Sequence, residues 1–126
     1  MEHTDMRVLV IEDDRFLRRA CETSLRQRGL TVLGARDGEE GLRLARAEAP
    51  DLILLDLLMP KLTGLEVLQA LRGAEATRSI PVLLLSNSSS PRDIEQIAAL
   101  GVAGYWVKAN LSLQELGDRV TCLLGV

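Results

Sequence analysis

Five short runs dense in valine, leucine and isoleucine punctuate the chain, and between them apolar residues return every three or four positions. The runs are Arg7 to Ile11, Thr31 to Ala35, Leu52 to Leu55, Pro81 to Leu85 and Ala103 to Val107. Most are apolar throughout rather than alternating, the pattern of parallel strands covered by helices on both faces. Run and amphipathic stretch alternate from end to end, which predicts repeated β-α units and an α/β fold.

The stretches between the runs carry their own start and stop signals. Leu17, Ala20, Cys21, Ser24, Leu25 and Arg28 recur at helical spacing, with Arg18, Arg19, Glu22 and Arg26 on the other side, and Gly29 ends that helix. Asp37 reads as the N-cap of a second helix, with Glu39 and Glu40 in the turn where the helix dipole favours negative charge; Pro50 closes it. A third helix should turn Leu65, Leu68 and Leu71 inward, and a fourth should open at Pro91 and bury Ile94, Ile97 and Ala98. Ser112 and Glu115 form the pattern of a capping box at the start of a fifth, with Leu111 and Leu116 as its hydrophobic staple. The segment from Ser86 to Ser90 is expected to be a strand-to-helix loop rather than a linker.

A length of 126 residues suits one domain over 1–126, with residues 1–5 as a flexible tail. With 47% apolar residues but only one Phe, one Trp and one Tyr, the core must be aliphatic. A formal charge of −3 argues against a direct nucleic-acid-binding surface. No apolar run reaches the ~18 residues of a membrane span and the polar opening lacks a signal-peptide profile, so a cytoplasmic location without membrane contact is expected. Cys21 and Cys122 each sit in a helical apolar pattern and read as buried thiols rather than a disulfide.

In an open parallel sheet, functional groups gather beyond the carboxyl ends of the strands, where the strand order reverses. The first strand ends in Glu12-Asp13-Asp14, the third at Asp56, the fourth at Ser86-Asn87 and the fifth at Lys108. Each has an ordinary explanation alone: Asp14 as a helix cap, Asp56 in a turn, Ser86 in a loop, Lys108 as a solvated charge. Together, Glu12, Asp13 and Asp56 would crowd three carboxylates, and two like charges at ~4 Å repel by about 4 kcal/mol at an effective dielectric of 20. Hard oxygens around that charge suit Mg²⁺ (or Mn²⁺) and not zinc, since no Cys or His is nearby. A cation there would ease the approach of a phosphoryl group, Lys108 would pair with one of its oxygens, the Ser86 hydroxyl would donate to another, and Asp56 remains as nucleophile.

These residues resemble the receiver domains of two-component response regulators, over essentially the whole chain. Val8 to Asp14 is similar to the family's acidic first-strand motif. Pro50 to Pro60, with Gly64, resembles its phosphoacceptor motif, and Gly104-Tyr105-Trp106-Val107-Lys108 its fifth-strand motif. The resemblance implies a flavodoxin-like, doubly wound (βα)5 fold with a five-stranded parallel sheet in the order 2-1-3-4-5. It implies that Asp56 is phosphorylated by a sensor histidine kinase or histidine phosphotransfer protein, in a signalling domain that is not an enzyme in its own right. It also implies that Asp13, Asp56 and the Leu58 backbone carbonyl hold Mg²⁺, with Glu12 acting through water. Ser86 and Tyr105 would form the switch, and the face of helix four, strand five and helix five would carry the output to an unspecified partner. Dimerisation through that face stays open.

Three positions depart from the family pattern: Asn87, where a small residue is usual and access to Asp56 would narrow; Ala109, where proline in a cis peptide is usual and a trans bond is expected; and Thr63. Leu58 and Ser88 are expected to slow dephosphorylation, because neither orients an attacking water strongly. Trp106, next to Tyr105 in an alternating strand, should point the opposite way and serve packing. Two rival functions stay in view. One is a receiver-like interaction module that no longer uses phosphorylation, and the other an aspartyl-phosphate hydrolase, which would want a second carboxylate where Leu58 stands.

Overall fold

The computed structural model describes residues 6–59, 61–86, 91–108 and 112–126, with residues 91–94 for their backbone. Strand and helix alternate throughout: β1 Arg7–Ile11, α1 Arg15–Arg26, β2 Thr31–Ala35, α2 Gly38–Glu48, β3 Leu52–Asp56, α3 Gly64–Gly73, β4 Val82–Ser86, α4 Pro91–Leu100, β5 Gly104–Val107 and α5 Leu113–Leu124. The five strands pair in parallel in the order β2-β1-β3-β4-β5, as the sequence predicts.

The uniform apolar character of the runs follows from burial on both faces. Every residue of β3 and β4 is buried. One set of alternating residues, with Leu9, Ile11, Ile53, Leu55, Val82 and Leu84, packs against Ala45 of α2, Val67, Leu68 and Leu71 of α3, and Ile97 of α4. The other set, with Val8, Val10, Leu52, Leu54 and Leu83, packs against Cys21 and Leu25 of α1 and Leu116 and Val120 of α5. Each fully buried leucine contributes about 1.5–3 kcal/mol of transfer free energy, so these two layers are the main source of stability.

Helix starts are fixed by side-chain caps. Asp14 accepts from the Phe16 and Leu17 amides, Asp37 from the Glu40 amide and Ser112 from the Glu115 amide. Thr63 and Glu66 close a full reciprocal capping box on α3, a role the sequence reading did not give Thr63. Ala49 ends α2 in a left-handed conformation just before Pro50.

Several expectations need correction. The third and fourth strands run one residue further than their apolar runs, to Asp56 and Ser86, because polar side chains at a strand end leave the backbone ladder intact. The fourth and fifth begin one residue later, at Val82 and Gly104. Ala98 is exposed, since Ile97 takes the inward position in α4, and Leu65 is only half-buried while Val67 is buried beside Leu68 and Leu71. Cys122 is also exposed, because the last turn of α5 presents it to solvent; Cys21 is buried, and neither forms a disulfide. Leu111, Ile94, Asn87, Ser88 and the Lys108–Ala109 peptide lie outside what is described. Among the described residues no helix is long and apolar enough to cross a membrane.

Candidate functional site

The strand order reverses between β1 and β3, and both strands deliver carboxylates to the crevice at that point. Glu12 directly follows β1, and its amide donates to Ala35 O (3.0 Å), which fixes the exit of the strand. Asp56 is the last residue of β3. Gly64 shapes the loop that follows: its amide donates to Leu57 O (2.9 Å), and a methyl group there would collide with the Asp56 carbonyl oxygen and the Leu57 Cα. The first turn of α3 can therefore close on the phosphoacceptor candidate only because this residue has no side chain.

Glu12, Asp13 and Asp56 each offer an oxygen within 4.8 Å of the others, with Glu12 and Asp56 only 1% exposed and Asp13 open to solvent. Lys108, just past β5, places Nζ 2.8 Å from Glu12 Oε1 and 3.1 Å from Asp56 Oδ2. The backbone supplies further donors: the Asp14 amide to Glu12 Oε2 (3.0 Å) and the Leu58 amide to Asp56 Oδ1 (3.2 Å). Glu12 Oε1 and Asp56 Oδ2 nevertheless receive no well-directed hydrogen bond among the described residues. Lys108 is thus a close charge partner of both, and among the described residues neither oxygen has a further donor.

Burial pushes Glu12 up to about 7, only partly opposed by Lys108 and the Asp14 amide, with the Asp56 charge adding to the rise. Burial likewise raises Asp56, while Glu12, Lys108 and the Leu58 amide pull the other way. Burial alone would lower Lys108, but its two carboxylate partners outweigh that effect and raise it. Three carboxylates against one ammonium leave the ionised site at −2. A crowded, partly unfilled set of hard oxygens with that charge has the donor chemistry for a small divalent cation.

Ser86 stands on the strand beside Asp56, and Tyr105 on the strand beyond that. Asp56 is in register with Leu85, so Ser86 stands one step further along the neighbouring strand, fully buried. Tyr105 pairs with Leu84, two residues before Ser86, so the two side chains belong to the same sheet face by strand alternation. That face carries α3 and α4, and Tyr105 packs half-buried against its core. Trp106 turns the other way, as its place in the strand predicts, with the Arg119 guanidinium of α5 5.4 Å from its ring centroid. Leu58 is 57% exposed beside Asp56.

One contributor was not singled out from sequence. Arg18 of α1 donates from Nη1 to the backbone carbonyl of Glu12 (2.9 Å), beneath the acidic loop.

Known proteins share both the sequence and the shape. A family model, the response regulator receiver domain, matches residues 8–121. The transcriptional activator protein PfeR of Pseudomonas aeruginosa is 40% identical over 118 residues, which are 94% of this chain and 37% of that protein. Response regulator MprA of Mycobacterium tuberculosis is 37% identical over 120 residues, 94% of this chain and 50% of that one. The chain thus spans half or less of the length of these relatives. Among solved structures, the receiver domain of Francisella response regulator 1452 superposes with a TM-score of 0.83 at 32% identity, covering 94% of this chain and 96% of that one. Chemotaxis response regulator CheY4 of Vibrio cholerae superposes at 0.86 with 29% identity, covering 95% and 99%. The chain belongs to the response regulator receiver domain family.

Proposed function

We propose that this receiver accepts a phosphoryl group on Asp56 from a phosphohistidine of a sensor kinase or phosphotransfer protein, and passes the signal on through the face of α4, β5 and α5. The observation that carries this is the pair of buried carboxylates, Glu12 and Asp56, held around one ammonium, with Glu12 Oε1 and Asp56 Oδ2 lacking a directed hydrogen bond among the described residues. A fold has little reason to keep such a cluster for stability alone, since both carboxylates are destabilised by burial.

Asp13, Asp56 and the Leu58 carbonyl would hold Mg²⁺, with Glu12 acting through water; when bound, the cation supplies positive charge against the phosphoryl oxygens. The chain's own groups do the rest. An Asp56 carboxylate oxygen attacks phosphorus, the P–N bond to the donor imidazole breaks, and that ring leaves with its electron pair and takes up a proton. Lys108 lies close enough to Asp56 to transfer its pairing to a phosphoryl oxygen. Ser86, one strand over, would donate its hydroxyl to another, and Tyr105 on the same sheet face would turn toward the space this opens. Leu58, apolar and exposed, offers no group to orient an attacking water, which favours a long-lived acyl phosphate; the positions of Asn87 and Ser88 would modulate access and lifetime further.

Beryllium fluoride with Mg²⁺, a non-transferable stand-in for the phosphoryl group, provides the test. Saturation at one equivalent, with amide resonances of Ser86 and Tyr105 shifting together and both responses lost in Asp56→Asn, is expected. A wild-type protein whose spectrum is unchanged at saturating fluoride and Mg²⁺ would contradict the proposal.

A further inference from the structure

The acidic loop between β1 and α1 must hold Glu12 and Asp13 at a fixed spacing from Asp56, yet Asp13 is exposed and its side chain is not packed by the core. Its position therefore depends on what holds the peptide preceding it. The Glu12 amide is tied to Ala35 O, and the Glu12 carbonyl, which belongs to the peptide that leads into Asp13, accepts from Arg18 Nη1 at 2.9 Å. Arg18 is half-buried, one turn into α1, and reaches back beneath the loop.

Its neighbour one helical turn along, Glu22, is accommodated by a distant part of the sequence. Gly34 of β2 pairs with Val10 of β1, and the Glu22 carboxylate and the Arg18 stem lie over its Cα. A methyl group at Gly34 would collide with the Glu22 carboxylate and sit 3.6 Å from Arg18 Cδ. Arg18 and Glu22 are one helical turn apart; the glycine makes room for the Glu22 carboxylate, while the Arg18 stem passes at ordinary contact distance. Glu22 in turn lies 4.0 Å from Arg26, which completes a charged row along this side of α1.

We propose that Arg18 is a positioning residue for cation binding: it grips the Glu12 carbonyl, fixes the Glu12–Asp13 peptide, and so sets where the Asp13 carboxylate meets Asp56. The inference rests on the proposal that Asp13 and Asp56 hold Mg²⁺. Groups that orient metal ligands without touching the ion typically matter by about 10–100-fold in affinity. A partly exposed loop belongs at the lower end, so about tenfold is expected.

The test is a Mg²⁺ titration of the full chain followed through the Asp13 and Asp14 amide resonances, with urea unfolding in EDTA measured alongside. Arg18→Met keeps the apolar stem over Gly34 and deletes the donors, and should weaken Mg²⁺ about tenfold. Arg18→Lys restores one donor on a shorter reach and should recover part of that, leaving a loss of roughly threefold. A purely structural role would lower the urea midpoint and leave affinity within twofold of wild type, which would overturn the proposal. If Arg18→Met does not fold, the same comparison rests on Arg18→Lys, and unchanged affinity there overturns it equally. Wild type that fails to bind Mg²⁺, or an Asp13→Asn variant that binds as well as wild type, would instead remove the metal site itself and this inference with it.

Discussion

Replacing Arg72 by methionine should cost about 3 kcal/mol of stability. From α3, its guanidinium donates to carbonyls at two places. Nη1 reaches Ile80 O (2.8 Å) and Arg78 O (3.1 Å) in the approach to β4, while Nε reaches Leu100 O (3.0 Å) and Nη2 reaches Gly101 O (2.9 Å) at the end of α4. Burial lowers the pKa of this side chain but leaves it a cation, placed where the negative end of the α4 dipole lies. The bonds to Leu100 and Ile80 are partly buried and those to Arg78 and Gly101 exposed. Water can replace the exposed pair at little net cost. The partly buried pair should count nearly in full, at about 1.5 kcal/mol each for a charged donor. Methionine keeps most of the stem, so the loss reports the hydrogen bonds rather than a cavity. Urea unfolding at constant m-value is the assay, with a fall in melting temperature of about 10–15 °C expected alongside. Amide exchange should also quicken at Leu100 and Gly101 before it does in β3. A loss below about 1 kcal/mol would refute the claim that this guanidinium anchors the end of α4.

The remaining predictions concern charge, thiols and the loop after β3. Glu12 is raised from 4.5 to about 7 in the folded chain, so between those values the native state binds more protons than the unfolded one. In EDTA its contribution should make stability fall as pH rises from about 4.5 to about 7, by up to about 3 kcal/mol, and level off above. Urea unfolding across pH 4.5–8 of wild type against Glu12→Gln isolates this slope, and a difference that rises with pH would contradict it. A thiol reagent should modify Cys122 alone in the native protein at pH 8, because Cys21 is buried and burial pushes its thiol up to about 12; peptide mapping that finds Cys21 labelled at an equal rate would count against the packing of α1. Gly64→Ala forces a methyl into the backbone of Asp56 and Leu57, and should cost roughly 2–4 kcal/mol and impair phosphoryl acceptance more than its stability loss explains. Chemical denaturation and acceptance measured together decide this, and a variant as stable as wild type would show that the loop yields freely.

Much of the fold was legible because burial on both faces of β3 and β4 writes itself into the sequence as unbroken apolar runs. The apolar runs stop one residue before the strands do, because Asp56 and Ser86, legible as the polar strand ends, continue the ladder. The inward faces of short helices were less legible, since Ile97 and Ala98 both fit a helical period and only packing against the sheet chooses between them. Cys122 follows the apolar period of α5 yet lies where the helix faces solvent. Within the site, Glu12, Asp13, Asp56 and Lys108 were legible because strand ends in this topology converge, and the structure does bring them together. Thr63 with Glu66 carried a readable capping pattern that was passed over. Arg18 was not legible, because its partner is the backbone carbonyl of Glu12, an acceptor that no side-chain pattern marks.

The central claim is that Asp56 accepts a phosphoryl group, and intact-mass analysis with a small phosphoramidate donor and Mg²⁺ tests it most directly. The account predicts a single phosphoryl addition that requires Mg²⁺, is removed by hydroxylamine as an acyl phosphate should be, and is absent in Asp56→Ala. No addition to folded wild type under any of these conditions, or an addition that persists in Asp56→Ala, would contradict it and favour a receiver that works through contacts alone.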